Sequence, residues 1–202
     1  MNAPFRIRGK IIETKRLILR PFRLEDLDDF HQYASVPGVG EMAGWPHHQN
    51  QEETLRVLKN FMEKDRTFAV CFKANNQVIG SLGVERYGKE EVLSEFFPYQ
   101  GRRLGFVLSK DYWGQGLMPE ALTAVIDYLF NQCDFDFLLC GYYLGNAQSR
   151  RVQEKVGFKP YRKLIVDTKL GTKETTIEGL LINPKKKIEF KFSHPETLIY
   201  EE

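Results

Sequence analysis

The residues whose types and spacing best suit chemistry lie between Leu104 and Leu122, in the run LGFVLSKDYWGQGLMPEAL. A short apolar run typical of a buried strand leads into two alternating glycines, Gly114 and Gly116, and then directly into a helical pattern. Glycine permits positive φ and a close backbone approach, and Pro119 suits the first turn of a helix. Such a turn presents backbone N–H groups at the positive end of a helix dipole, which favours a pyrophosphate. Glycine spacing alone leaves a plain tight turn as an equal alternative.

A second informative segment runs from Asn146 to Phe158 and reads NAQSRRVQEKVGF. Asn146 suits a helix N-cap and Gly157 suits the residue after a helix, so a capped helix accounts for most of the segment. Two other phosphate-binding motifs are excluded. A dinucleotide fingerprint fails because Pro119 stands where its third glycine would be, and a Walker A motif lacks its Gly-Lys-[Ser/Thr].

The elements that must position these segments follow from hydrophobic periodicity and turn residues. Strands are predicted at residues 11–20, 68–73, 78–87, 104–108, 137–143, 162–169 and 174–182, and helices at 24–30, 51–64, 118–131 and 147–156. Residues 36–50 and 88–102 are expected to be loops. This order mixes hairpins with crossovers, which predicts an α/β fold with a mixed sheet and helices on both faces. We expect one domain, residues 1–184, followed by a tail, residues 185–202.

Composition narrows the class of protein. The 202 residues carry a net charge of only +2 and are 42% hydrophobic, which favours a globular domain over a nucleic-acid binder or a disordered chain. The three cysteines, Cys71, Cys133 and Cys140, are odd in number and lack metal-type spacing, so we expect inert thiols in a reducing compartment. No apolar run reaches the ~20 residues of a membrane helix, and the first residues lack a secretory pattern. A cytoplasmic protein is the expectation.

Taken together, the motifs resemble a known family. Strand–W-G-x-G–helix, followed by a strand and N-x-x-S-x-x-V-x-E-K-x-G-F, resembles the GNAT acetyltransferases, and the opening ETKRLILRPF is similar to the start of the branch that contains the ribosomal-protein N-terminal acetyltransferases. The likeness runs from about residue 11 to residue 160 and fades beyond Tyr161. It implies a mostly antiparallel central sheet whose middle strands splay apart, and acetyl-coenzyme A (acetyl-CoA) as the cofactor.

The resemblance also implies which residues hold the cofactor. The pyrophosphate would rest on the backbone N–H groups of Trp113, Gly114, Gln115, Gly116, Leu117 and Met118. The pantetheine arm would lie along Phe106, Val107 and Leu108, where it would also meet Asn146, and Ser149 would lie near the thioester sulfur. The sequence departs from the wider family at Trp113, often Arg or Gln, and at Met118, usually Gly or Ala, so the start of the helix is expected to be less open to phosphate.

Acetyl transfer to an amine needs a neutral nitrogen, stabilisation of an oxyanion and protonation of the departing thiolate. A backbone N–H near Leu108 is expected to meet the oxyanion. The tyrosine acid of many relatives falls at Gln153, which cannot protonate a thiolate, so Ser149 is the substitute acid or merely a helix-capping residue. For the base, Glu85 and Glu95 are the available carboxylates, and each is also typical of a solvated surface acid.

The acceptor is expected to be an amine, either a protein N-terminus or a small molecule. At pH 7 a lysine amine costs about 4.6 kcal/mol to deprotonate and an α-amine only about 1 kcal/mol, so a site with no obvious base favours an α-amine. The adjacent His47 and His48 lack a third ligand, and no metal is predicted. Two rival interpretations stay open: a non-catalytic acyl-CoA-binding module, and a structural protein whose aromatic residues 96–99 form an interface, for instance in a homodimer. The same aromatics suit an acceptor-side lid or plain core equally well.

Overall fold

The computed structural model describes residues 1–88 and 96–188. Its strands are β1 (Ile12–Glu13), β2 (Leu17–Pro21), β3 (Thr67–Phe72), β4 (Gln77–Glu85), β5 (Gly101–Leu108), β6 (Phe137–Tyr143), β7 (Lys159–Asp167) and β8 (Lys173–Ile182). Its α-helices are α1 (Leu27–Ala34), α2 (Gln51–Lys64), α3 (Leu117–Asn131) and α4 (Ala147–Lys155). Most of these elements were predicted from the sequence to within three residues at each end.

The strands form one sheet in the order β1-β2-β3-β4-β5-β6-β8-β7. Among the described strands every neighbouring pair is antiparallel except β5 and β6, which run parallel. A parallel pair needs a crossover, and α3 supplies it between these two strands. The predicted fold class, a mixed and mostly antiparallel α/β sheet, is confirmed.

The middle of the sheet opens where β5 leaves β6. Their pairing starts at Gly101 opposite Phe137 and ends at Leu104 opposite Cys140. However, β5 continues to Leu108 and β6 to Tyr143. The outer halves of the two strands therefore do not pair with each other and leave a gap, the splay that the family resemblance implied.

Helices cover both faces of the sheet, as predicted. The larger core lies between the sheet and α3, with buried side chains such as Leu104, Leu122 and Val125. On the opposite face α1 and α2 pack over a second core that includes Phe30 and Leu58. Because successive strand residues point to opposite faces, Leu104 faces α3, whereas the neighbouring Arg103 and Gly105 face the other way.

The prediction that residues 88–102 form only a loop is wrong at its end, because β5 starts at Gly101. The strand was hidden by Arg102, a charged residue that is almost fully buried and whose Nε donates to the Ala3 carbonyl at 2.6 Å. Burial lowers the pKa of Arg102 to about 10. Phe96 is core, stacked on Phe137 with ring centroids 4.6 Å apart.

β7 also begins earlier than predicted, at Lys159, and ends at Asp167. β7 is an edge strand rich in charged residues, and hydrophobic and polar residues alternate little along it. The position of its first residue therefore depends on the pairing with β8. Within the ranges that the structure describes, none of the helices combines the length and apolar character needed to cross a membrane.

Candidate active site

The turn between β5 and α3 has the geometry that its two glycines predict. Gly114 and Gly116 adopt φ of +76° and +72°, in the left-handed region that favours glycine, and α3 begins at Leu117. The backbone N–H of Trp113 was predicted to bind the ligand. It donates instead to the Lys110 carbonyl and is therefore not available. In the described part of the chain, no hydrogen-bond acceptor meets the N–H groups from Gly114 to Met118. These N–H groups form an anion-binding cradle at a helix start.

A clamp from the N-terminal strands fixes this turn. Arg16 donates through Nε to Glu120 in the first turn of α3 at 2.7 Å, and through a terminal nitrogen to the Gln115 carbonyl at 2.9 Å. The Thr14 hydroxyl and the Arg16 backbone N–H donate to the other Glu120 oxygen at 2.6 and 2.8 Å. Burial opposes ionisation of Glu120, but these hydrogen bonds outweigh it and lower its pKa. The opening T-x-R-L motif thus positions the cradle.

The cradle opens into a cavity of about 410 Å³ that runs along the end of β5 beside the gap. Every residue predicted to hold the cofactor lines it except Gln115: Phe106, Val107, Leu108, Trp113, Gly114, Gly116, Leu117, Met118, Asn146 and Ser149. The Trp113 indole donates to the Leu108 carbonyl at 2.8 Å, so this side chain ties the turn to the end of β5.

Helix α4 forms the opposite wall. Asn146 is its N-cap as predicted, because its Oδ1 accepts from the Ser149 N–H at 3.0 Å. Its Nδ2 donates to the Met42 carbonyl at 3.3 Å, so one side chain joins α4 to the loop of residues 36–50. The Ser149 hydroxyl accepts from Gln153 Nε2 at 3.2 Å. Gly157 ends the helix with a φ of +94°.

The 36–50 loop closes over the cavity through Val39, Met42 and Ala43. Glu41 holds its conformation: burial raises the pKa of this carboxyl, but hydrogen bonds from the His47 ring and from backbone N–H groups outweigh it and lower the pKa to about 2. His48 points elsewhere, with Nδ1 2.9 Å from the Thr54 hydroxyl, and burial lowers its pKa. Across residues 1–88 and 96–188, no cluster of His, Cys, Asp and Glu is suited to hold a metal ion.

Glu85, one predicted base, does not line the cavity. It lies at the end of β4, 40% exposed, with Oε2 3.4 Å from the Arg66 guanidinium and Oε1 3.3 Å from the Thr67 hydroxyl. Its carboxylate covers Gly83, because a Cβ added to that glycine would lie 3.2 Å from Oε1. Gly83 pairs with Gly105, the first β5 residue beyond the last pair with β6. Glu85 therefore lies one strand from the gap, on the face opposite α3. Glu95 lies outside the described residues.

Part of the cavity wall was not predicted from the sequence. Arg151 and Lys155 of α4 line the cavity, and their spacing of four residues puts both on one helical face, a signal that the sequence did contain. Met42 and Tyr112 also line it. Their contribution could not be read from local pattern, because it depends on how distant loops pack.

Comparison with known proteins identifies the family. Residues 16–159, which are most of the chain, match the family model of the Acetyltransferase (GNAT) domain. Among curated proteins, the uncharacterized N-acetyltransferase YnaD of Bacillus subtilis (strain 168) is 24% identical over 148 residues, which cover 73% of this chain and 82% of that protein.

Solved structures agree on the fold. A GNAT-family acetyltransferase from Bacillus anthracis superposes with a TM-score of 0.75 at 20% identity, covering 86% of this chain and 99% of that one. RimL, described as a ribosomal L7/L12 alpha-N-protein acetyltransferase in complex with coenzyme A, has a TM-score of 0.69 at 17% identity, covering 86% and 98%. This chain belongs to the GNAT acetyltransferase family and is an acyltransferase.

Proposed function

We propose that this chain transfers the acetyl group of acetyl-CoA to the α-amine of a polypeptide. Acetyl-CoA is the acyl donor and supplies an acetyl group activated as a thioester. The observation that carries the proposal is the gap beyond Leu104 and Cys140. The donor cavity reaches this gap along Phe106 to Leu108, and Gly105, with open space beside it, faces the opposite side of the sheet.

The residues of the cavity fit the donor. The unpaired N–H groups from Gly114 to Met118 suit a pyrophosphate, and a Cβ at Gly114 would meet no atom within 4 Å, so the turn has room for one. Arg151 and Lys155 add positive charge to the same cavity. Unpaired backbone on β5 offers hydrogen bonds to an extended pantetheine arm, as a neighbouring strand would.

We assign proton transfer to two side chains. The Ser149 hydroxyl lines the cavity and holds a proton that it can donate. Glu85, beside Gly83 on the other face, is the carboxylate that we assign to receive a proton from the acceptor amine.

A site whose assigned base is a partly exposed carboxylate favours an acceptor that loses its proton easily. At pH 7 an α-amine needs about 1 kcal/mol for deprotonation, against about 4.6 kcal/mol for lysine. Gly105 has open space beside it on the acceptor face, next to the Glu85 carboxylate that covers the paired Gly83, which leaves room for a polypeptide end. RimL, which acts on an α-amine of a protein, is consistent with this acceptor class.

The test measures release of the free CoA thiol with a panel of acceptors. Peptides with a free N-terminus are expected to support turnover, whereas the same peptides with a blocked N-terminus and an internal lysine are not. Turnover with small polyamines alone would replace our proposal with a small-molecule acceptor. Binding of CoA without turnover for any acceptor would favour the non-catalytic module.

The role of Glu85 is tested by Glu85→Gln. Loss of a general base is expected to lower kcat about 100-fold or more. The matched control is Glu13→Gln, since Glu13 is also an exposed strand carboxylate, 2.9 Å from Lys73, but lies in β1 at the sheet edge. Equal kcat values for the two variants would remove Glu85 from the mechanism.

A further inference from the structure

Gln153 is a buried polar residue of α4 that contacts β6 beside the gap. Its side chain is 1% exposed, and Nε2 donates to the Gly141 carbonyl at 3.0 Å and to the Ser149 hydroxyl oxygen at 3.2 Å. Gly141 is the first β6 residue beyond the last pair with β5. One amide group therefore ties α4 to the mouth of the gap and contacts the serine that lines the cavity.

The direction of these hydrogen bonds is determined by the Gly141 carbonyl. A carbonyl oxygen only accepts, so the amide nitrogen must face it and the amide cannot be flipped. The same nitrogen then donates to Ser149, whose oxygen is the acceptor. A hydroxyl carries a single hydrogen, and among the described residues no acceptor meets that of Ser149. This hydrogen is left for a group inside the cavity.

The amide oxygen of Gln153 supports a functional role. It is buried and has no hydrogen-bond partner in the part of the chain that the structure describes. Burying an unsatisfied polar atom costs free energy, which offsets part of what the two hydrogen bonds of Nε2 contribute to stability.

We propose that Gln153 is a positioning residue that directs the Ser149 hydroxyl proton toward the thiol end of bound CoA. The inference deepens the proposed function and rests on its donor site. It requires no proton donation by Gln153 itself. A hydrogen bond donated to sulfur favours the thiolate over the thiol, so it lowers the pKa of the bound CoA thiol. CoA must then bind more tightly as the pH rises through the range in which that thiol ionises.

The experiment measures the affinities of CoA and of desulfo-CoA, which lacks the sulfur, by titration calorimetry from about pH 7 to about pH 10. Titration of protein groups affects the binding of both ligands alike, so its effect cancels in the ratio of the two affinities. In the wild type this ratio is expected to rise about tenfold in favour of CoA, the size of one hydrogen bond to a charged group. Ser149→Ala is expected to abolish the rise, and Gln153→Met to reduce it to about threefold or less.

Two further variants make the test specific. Glu154→Gln changes an exposed neighbour on α4 that pairs with Arg150, and it is expected to keep the wild-type ratio. In the Ser149→Ala background, Gln153→Met is expected to change nothing more, because Gln153 acts through that hydroxyl. Melting curves accompany each variant, and Gln153→Leu replaces Gln153→Met if the methionine variant does not fold.

A pH-dependent rise in Gln153→Met or Ser149→Ala equal to that of the wild type would overturn the inference, as would a flat ratio in the wild type. Failure of the proposed function gives a different result from failure of this inference. Absence of turnover with intact CoA binding contradicts acetyl transfer but leaves this measurement valid, whereas absence of binding of either ligand overturns both.

Discussion

Replacing Gly114 by valine tests whether the turn before α3 is a cofactor cradle or an ordinary tight turn. Gly114 has φ of +76°, lines the cavity, and has no atom within 4 Å of an added Cβ. Gly171 has φ of +75° and the same open surroundings, but it lies in the exposed hairpin between β7 and β8. Valine at either position is expected to cost about 1–2 kcal/mol of stability, because a side chain is strained in the left-handed region. Gly171→Val is therefore a control matched in backbone geometry.

The effect on binding is expected to differ sharply. At Gly114 a side chain occupies space beside the unpaired N–H groups, and a relaxing backbone turns them away from the ligand. Loss of two hydrogen bonds to a charged phosphate corresponds to about 3–6 kcal/mol, which weakens binding by at least about 100-fold. At Gly171 the affinity for CoA is expected to stay within about twofold of the wild type.

The assay is titration calorimetry with CoA at pH 7, with a melting curve for each variant. Both variants are expected to show similar losses of Tm, and only Gly114→Val a loss of affinity. If both bind CoA like the wild type, the two glycines only make a turn and the phosphate cradle is refuted. Gly114→Ala provides a smaller step in the same direction.

Three further predictions concern the clamp, the loop and the thiols. Arg16→Met removes the bonds that hold the cradle, so the Kd for CoA is expected to rise about tenfold while the acceptor KM stays unchanged; an unchanged Kd would contradict the clamp. Glu41 has a folded pKa of about 2, below its ordinary 4.5, so its stabilising effect is present above pH 4.5 and is lost as the pH falls toward 2. The difference in free energy of unfolding between the wild type and Glu41→Gln, on the order of 1 kcal/mol, should vanish over that range in acid denaturation curves, and a constant difference would disprove the assignment. Burial raises the pKa of Cys71 to about 11 and that of Cys140 to about 12, so at pH 8 both are expected to resist a thiol reagent until the chain unfolds, with only Cys133 modified in the native protein.

The turn before α3 and the start of α4 could be predicted because their signals are local. A glycine at positive φ and an N-cap asparagine each act within a few residues, so Gly114, Gly116 and Asn146 have the roles that their neighbours in sequence indicate. The hydrophobic periodicity of α3 likewise follows from one face of one helix.

The predictions that failed involve polar groups that the fold already satisfies internally. Arg102 reads as a loop residue by polarity, yet the N-terminal segment buries it in β5 and accepts its hydrogen bond at Ala3. Similarly, the backbone N–H of Trp113 is not free, because it donates to the Lys110 carbonyl. Polarity alone does not reveal which groups the fold satisfies internally.

The sequence alone determined the family, from the motifs at residues 13–22, 113–118 and 146–158, and the mixed sheet, from the order of the strands and helices, because local backbone preferences and hydrophobic periodicity dictate those features. Only the tertiary structure decided how the site is assembled. Arg16 meets Glu120, and Asn146 meets Met42, each across 104 residues of chain. Contacts over such separations depend on the packing of the whole sheet, and no local pattern encodes them.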